Sequence, residues 1–324
     1  MNEKNEISQR GYEFLLYDFL LEILLKKIHA HNNCLGSKDC LESKKLELEE
    51  SITDKIERYL RLDCLSESKL IPTSDKTNSD ETKIAQIKDE LKGVDQCYKE
   101  GLEQLTTSLQ GTGFKIHEKN DSWIYFLDKK FNKENYYSFD SKEDIGFGTK
   151  IYLKIDPKRF LTDEDFKNKY FSFVEKIANE FSKQEISHTF KLLKEFFEDK
   201  RITGDYDSAR SYISGNECLI FYLNNTKDNL SKAKGIIKEL LRDYNITDEE
   251  IRVFRVGFDS WDKNANARST YTQMITQNLS RRILKNPKEY CINITPKQLE
   301  EKLNHDLQEI REDIFNKASK YVTN

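Results

Sequence analysis

The spacing of apolar residues changes at Gly111-Thr112-Gly113, and this change constrains the fold more than any other feature of the chain. Before it, apolar residues recur at the intervals of amphipathic helices, as in Lys83 to Leu109. After it, short runs rich in β-branched and aromatic residues alternate with further helical patterns. We therefore predict an α+β protein, with a helical N-terminal region at 1–100 and an α+β domain at 101–324. In that domain we expect a mixed or antiparallel sheet flanked by helices.

The individual elements are predicted from the same patterns. Helices are expected at 15–28, 46–65, 83–109, 163–181, 230–244 and 269–284, and in a last helix that starts at Pro296 after the N-cap Thr295. Strands are expected at 122–127, 150–155, 186–193, 218–223 and 251–256. The polar residues 66–81 predict a linker or mobile loop. We interpret the glycine pair in Gly146-Phe147-Gly148 as a turn before the second strand.

Charge and hydropathy limit the partners and the location that we expect. The 324 residues carry a formal net charge of −4, so nucleic acid is not an expected partner. The most apolar stretch, Leu15 to Ile28, is interrupted by charged residues and is too short to span a bilayer. Met1 to Arg10 lacks the apolar core of a secretory signal, whereas a type III or type IV export signal leaves little pattern. We expect the bacterial cytoplasm, or a host cell after export.

The cysteines and the standard catalytic motifs predict neither a metal nor a cofactor. The 6 Cys include no pair with CxxC spacing, and the 5 His form no ligand pattern with them, so we expect reduced thiols. The chain contains no GxxxxGK[ST], GxGxxG, HExxH or GxSxG motif. This argues against nucleotide-dependent, zinc-protease and α/β-hydrolase chemistry.

Several cations lie on short apolar elements, where charged residues are unusual. Lys150, Tyr152 and Lys154 alternate with apolar residues, and in a strand these three side chains share one face. Lys191 is flanked by apolar residues in Phe190-Lys-Leu-Leu193, and desolvation of such a lysine would lower its pKa and let it act as a base. The alternative for each is a solvated charge on an amphipathic element.

Six segments occur in a characteristic order between about Leu102 and Leu284: 104–113, 151–159, 190–193, 206–210, 219–223 and 255–258. By this order they resemble the HopA effector domain, first named for a type III effector of a plant pathogen. Related domains serve as stand-alone lyases in lanthipeptide synthesis. The family further resembles the phosphothreonine lyases of the SpvC and OspF type, which remove phosphate from phosphothreonine or phosphoserine by β-elimination. The resemblance implies a phosphorylated peptide or protein as substrate, with no metal or nucleotide.

The resemblance also implies roles for individual residues. Lys191 would be the base that takes the α-proton, and Lys150 would stabilise the phosphate or the developing enolate. Tyr152 stands where the lyases have a histidine acid, and the unperturbed pKa of tyrosine near 10 makes it a different acid. His188 is a further candidate in that role. The residues expected to bind the substrate phosphate are Arg210, Lys154 and Arg268.

Two other functions stay open on the sequence. A domain of this kind that has lost turnover would be a binding module for a phosphorylated or acidic partner. A chain whose N-terminal helices dominate its function would be an effector bound by a secretion chaperone. A kinase is a further expected partner in the setting of lanthipeptide synthesis.

Overall fold

The computed structural model describes residues 80–120, 123–131, 136–139, 144–155, 159, 163–194, 219–224, 228–246, 251–286, 288–291 and 296–322. The chain divides into two compact units. The described part of the first lies within Thr270–Ile314, and that of the second lies within Thr77–Ser269 and Phe315–Asn324. The predicted helices at 15–28 and 46–65, and most of the predicted linker at 66–81, lie outside the described residues.

The second unit is built on an antiparallel sheet to which the described residues contribute eight strands, in the order β1-β2-β5-β6-β4-β7-β8 with β3 paired to β4. The strands are β1 (Lys115–Asn120), β2 (Trp123–Leu127), β3 (Tyr137–Phe139), β4 (Ile145–Ile155), β5 (His188–Leu193), β6 (Leu219–Leu223), β7 (Ile251–Asp262) and β8 (Ala267–Ser269). The predicted α+β class is therefore confirmed, and the sheet is antiparallel.

Strand β4 is an interior strand of this sheet and is paired along both edges. One of its edges pairs with β7 from Ile145 to Ile155. The other edge pairs with β3 through Gly146 to Gly148 and then with β6 through Thr149 to Leu153. Because β4 pairs on both edges, side chains from three neighbouring strands converge on it.

Three helices of the second unit accompany the sheet: α1 (Asp80–Gly111), α2 (Glu164–Lys183) and α3 (Asn229–Asp243). The side chain of Asp163 caps α2 by accepting a hydrogen bond from the backbone N–H of Phe166 at 3.0 Å. Helix α1 runs without a break through residue 100, and the division of the chain at that position stays a prediction.

The core lies between these helices and one face of the sheet. Phe126, Phe190 and Phe221, from three adjacent strands, form a continuous aromatic layer on that face. Phe181 of α2 packs edge-on against Phe221, with ring centroids 5.3 Å apart. All four side chains are fully buried, so this face carries the apolar surface that drives folding.

The first unit contains α4 (Tyr271–Lys285), α5 (Lys288–Cys291) and the larger part of α6 (Pro296–Val322). Helix α4 begins with a capping box between Thr270 and Gln273. One face of α6 is buried, and it includes Leu303, Leu307 and Ile310. Thr295, its predicted N-cap, lies outside the described residues.

The prediction of a turn at Gly146-Phe147-Gly148 is wrong, because these residues lie inside β4. A Cβ on Gly148 would lie 2.5 Å from the ring of Tyr136, and a Cβ on Gly146 would lie 2.6 Å from the ring of Phe139. The two glycines are therefore needed for close approach of aromatic rings to the strand and not for a change of chain direction. The helix predicted at 269–284 begins at Tyr271, because Arg268 and Ser269 lie in β8.

We expect Gly148→Ala to lower the free energy of unfolding by about 1–3 kcal/mol, because the new methyl group overlaps the buried Tyr136 ring. Gly235→Ala is the matched control, since Gly235 lies in α3 and no atom lies within 4 Å of the position that its Cβ would occupy. That substitution should raise the free energy of unfolding by up to about 1 kcal/mol through helix propensity. Urea denaturation measures both, and equal stabilities of the two variants would contradict the close ring approach.

Candidate functional site

The sheet face opposite the aromatic core layer carries cations and tyrosines. In the cross-strand register, Lys191 of β5 and Tyr152 of β4 both pair with Ile220 of β6, so the three residues form one row. Lys150 pairs with Tyr222 in a neighbouring row on the same face. We call the surface formed by Tyr125, Lys191, Tyr222, Lys150, Tyr152 and Asp259 the cation–aromatic face.

The register brings together three of the predicted site residues. Lys191 and Tyr152 are two strands apart, which corresponds to about 10 Å between Cα atoms. Lys150 lies two residues from Tyr152 along β4, on the same face. Lys150 and Tyr152 therefore share one face of the sheet, as their alternation with apolar residues predicts. The side chain of Lys154 lies outside what the structure describes.

A buried ion pair holds Lys150. Its Nζ lies 2.6 Å from Oδ2 of Asp259 on β7, and the two side chains are 7% and 10% exposed. Asp259 pairs with Gly148 in the register, so it reaches Lys150 diagonally across the strands. The ammonium also lies 4.8 Å from the centre of the Tyr222 ring. These two contacts fix a positive charge at one place on the cation–aromatic face.

Lys191 has an aromatic environment. Its Nζ lies 3.9 Å from the centre of the Trp123 ring and 5.9 Å from that of Tyr125, both on β2. Tyr125 is directly opposite Lys191 in the register, and Trp123 is the next residue on that face. The side chain of Lys191 is half-buried, and both of these neighbours are aromatic.

Tyr136 and Tyr137, at the start of β3, lie near Asp259 and extend the aromatic cluster around Tyr222. The ring of Tyr136 lies edge-on against those of Tyr137 and Tyr222, with centroids 4.8 and 5.8 Å away. Burial, and then the negative charge of Asp259, raise the pKa of Tyr136 well above its ordinary value of 10. The same two causes raise the pKa of Tyr137 to about 12. Both phenols therefore stay protonated at neutral pH and keep an O–H group that a ligand can accept from.

The structure does not place Arg268 beside the lysines. Arg268 pairs with Trp261, which in turn pairs with Gly146, four residues before Lys150 on β4. This puts Arg268 on the order of 15 Å from Lys150 between Cα atoms. Its guanidinium lies 5.3 Å from the Trp261 ring centre and is exposed. The other predicted phosphate-binding arginine, Arg210, lies outside the described residues.

His188 lies on the opposite face from Lys191, so it does not serve the cation–aromatic face. Its ring is fully buried, and Nδ1 donates to the carbonyl oxygen of Ile186 at 2.8 Å. Nδ1 is also 3.7 Å from Oδ2 of Asp128. Burial lowers the pKa of His188 from 6.5 to about 4, against the opposing effects of the Ile186 hydrogen bond and the Asp128 charge. The side chain is consequently neutral at physiological pH.

Sequence reasoning missed Asp259, Tyr136 and Tyr222 as site residues. Asp259 lies in the last third of β7, beyond the end of the strand predicted at 251–256. The glycines of β4 were a usable signal for Tyr136, since glycine within a strand often marks close approach of another group. Tyr222 sits among apolar residues in Leu219-Ile-Phe-Tyr-Leu223, where its polar tip had no evident role.

A group of possible metal ligands in the first unit is already engaged by cations. Ligand atoms of His305, Asp306 and Glu309 lie within 4.8 Å of one another. Arg282 binds Glu309 at 2.6 Å and Asp306 at 3.5 Å, and the hydroxyl of Tyr290 donates to Asp306 at 2.6 Å. This arrangement is an ion-pair network within and between helices of the unit.

No described helix is both long and apolar enough to cross a membrane. In comparisons with protein-family models, with curated proteins and with solved structures, the chain matches none of them. The arrangement of the cation–aromatic face is therefore the main basis for a function. It offers a fixed cation, protonated phenols and a second lysine against aromatic rings, which suits an anionic or strongly polar ligand.

We expect Asp259→Asn to lower the free energy of unfolding by about 3–5 kcal/mol, because it leaves the Lys150 ammonium buried without its counter-charge. The control is Glu180→Gln, which breaks the pairs of Glu180 with the more exposed Lys176 and Lys183 and should cost at most about 1 kcal/mol. Denaturant titrations at pH 7 compare them. A loss for Asp259→Asn no larger than that of the control would contradict the buried pair.

We expect His188 to make the protein less stable in mild acid. The unfolded chain binds a proton at this residue below about pH 6.5, whereas the folded chain does so only near pH 4. Stability from His188 is thus complete above pH 6.5 and is lost as the pH falls toward 4, by about 3 kcal/mol in total.

The variant His188→Asn isolates this effect, because its amide can still donate to Ile186 and has no proton to gain. The free energy of unfolding of each protein is measured from pH 7 to pH 4. Between pH 7 and pH 4, the free energy of unfolding of wild type should fall by about 3 kcal/mol relative to that of the variant. A difference that stays constant with pH would refute the neutral, buried state of His188.

Proposed function

We propose that this protein is a phosphoserine/phosphothreonine lyase that removes phosphate from a peptide or protein by β-elimination. The observation that carries the proposal is the register that puts Lys191 and Tyr152 in one row and Lys150 on the same face. β-Elimination needs a base for the α-proton, a donor for the leaving phosphate and a cation near the developing charge. The three side chains supply these groups, and the reaction requires neither a metal nor a nucleotide.

Side-chain groups alone accept and supply the protons that are transferred in the reaction. The neutral amine of Lys191 takes the α-proton, and the electrons of the Cα–H bond form the Cα=Cβ double bond. The Cβ–O bond breaks, and the phosphate leaves with its electron pair and takes a proton from the hydroxyl of Tyr152. The products are inorganic phosphate and a dehydroamino acid. The Lys150 ammonium, fixed by Asp259, donates a hydrogen bond to the charge that develops during the step.

The assignment of residues that would bind the substrate phosphate rests on the family resemblance alone. Arg210 and Lys154 are proposed for this role by their positions in the matching segments. Arg268 is the weaker proposal, because the sheet register separates it from Lys150. The Arg268 guanidinium lies against the rings of Tyr137 and Trp261, a position better suited to contacting a part of the peptide far from the phosphorylated residue.

The test is incubation with phosphothreonine peptides and detection of the loss of phosphoric acid by mass spectrometry. Lys191→Ala should lower the rate at least about 10³-fold, because the base is removed. Lys176→Ala, on the exposed side of α2, is the control that should keep the wild-type rate. Elimination at the wild-type rate by Lys191→Ala would overturn the assignment of the base.

A second candidate function is a phosphopeptide-binding module without turnover. The contact of Lys191 Nζ with the Trp123 ring at 3.9 Å favours this candidate, because a ring face stabilises a charged ammonium and a charged ammonium is not a base. Binding of phosphopeptide with no change in its mass would support the module. Lys191→Arg should then keep the affinity, since it keeps the charge over the ring.

The biological setting follows from the same resemblance. A lyase of lanthipeptide synthesis would work in the bacterial cytoplasm with a kinase as its partner. A secreted effector would act on phosphorylated host proteins and would be carried by a secretion chaperone. Genes for a precursor peptide and a kinase next to this one would support the first setting, and genes of a secretion system would support the second.

A further inference from the structure

The hydroxyl group of Tyr136 is a buried donor that no group in the described residues uses. The side chain is 5% exposed, and its oxygen has no hydrogen-bond partner in the part of the chain that the structure describes. A buried hydroxyl without a partner has lost its hydrogen bonds to water and gained nothing in return. Several buried polar atoms of the described residues lack a partner, and Tyr136 is one that lies near the charged group of Asp259, which makes it a candidate contact for a bound molecule.

The Tyr136 ring is held in place from several sides. It rests on the backbone of Gly148, where a Cβ would lie 2.5 Å from its Cε1 and Cζ atoms. Tyr137 and Tyr222 contact it edge-on. A donor fixed in this way loses little conformational entropy when it binds a ligand, which is the property of a preorganised site.

Tyr136 and Lys150 lie next to the same small region of the sheet. The ring of Tyr222 contacts the Tyr136 ring and also lies 4.8 Å from the Lys150 ammonium. Gly148, under the Tyr136 ring, pairs in the register with Asp259, the carboxylate that binds Lys150. The Tyr136 ring and the Lys150 ammonium therefore both lie beside the Tyr222 ring.

The charges of this region favour a neutral ligand atom over a phosphate. Lys150 and Asp259 carry opposite charges and cancel, and the raised pKa of Tyr136 keeps its phenol neutral. A phosphate dianion would be repelled by Asp259, whereas a carbonyl oxygen is uncharged when it binds. We propose that Tyr136 and Lys150 jointly bind the carbonyl oxygen of the phosphorylated residue, an inference that rests on the proposed lyase function.

This pair of donors would act during the elimination itself. As Lys191 removes the α-proton, negative charge develops on that carbonyl oxygen, and it decreases again when the phosphate leaves. Tyr136 keeps its proton throughout and stabilises the charge through its hydrogen bond. Removal of one such preorganised donor typically lowers kcat about 10²–10³-fold. The substrate phosphate binds elsewhere, so Tyr136 contributes little to KM.

The direct test is Tyr136→Phe, which removes only the hydroxyl. With a phosphothreonine peptide, kcat should fall about 10²-fold while KM stays within about threefold. The melting temperature should be unchanged or higher, because an unpaired buried oxygen is removed. Tyr244→Phe is the matched control at the end of α3, where the exposed hydroxyl donates to the carbonyl of Ser172. A kcat within about threefold of wild type in Tyr136→Phe would overturn the inference.

A binding experiment separates this inference from the lyase proposal. Two proteins are compared, Lys191→Ala and the double variant Lys191→Ala/Tyr136→Phe. Each is titrated with a phosphothreonine peptide and with its (E)-alkene isostere, which lacks the carbonyl oxygen. The carbonyl oxygen should improve the affinity about threefold more with Tyr136 than with the Phe substitution. Such coupling without any turnover by wild type would sustain the Tyr136 site and end the lyase proposal. Turnover without coupling would end the Tyr136 site and sustain the lyase.

Discussion

The pairing of β4 with β7 is the interaction on which the rest of the second unit depends. It runs the whole length of β4 and leaves the opposite edge of that strand to β3 and β6. The same register places Asp259 where it reaches the ammonium of Lys150. A shift by one residue would turn Lys150 toward the aromatic core layer, at a high desolvation cost, so the buried ion pair also disfavours the wrong register.

The two faces of the sheet differ in what they contribute, one to stability and the other to the candidate site. Phe126, Phe190 and Phe221 are packed on the face that contacts α2, and their contribution is stability. The cation–aromatic face carries charged and polar groups whose burial costs free energy, and the core offsets that cost. Strand β5 shows the division in one element, because His188 and Lys191 are three residues apart and face opposite sides.

Much of this sheet was predictable from local patterns, but the site was only partly so. Alternation identified β4 and put Lys150 and Tyr152 on one face, since the side-chain period of a strand is local. The charged edge strand β1 and the three-residue strands β3 and β8 lack that pattern. The partners Asp259 and Tyr136 depend on pairing between distant segments and on a ring resting on Gly148, and no local pattern reveals either. The roles of Lys191 and Arg210 rest on resemblance and stay predictions.

The pairing of β4 with distant segments on both edges also has a consequence for how the chain folds. Ile151 pairs with Val256, about 100 residues later, and with Phe221, about 70 residues later. Such pairings close long loops before they gain contacts, and chains rich in them fold slowly. Until β7 arrives, one edge of β4 is open to pairing with other chains. Rapid dilution from denaturant at high protein concentration should therefore favour aggregation over refolding.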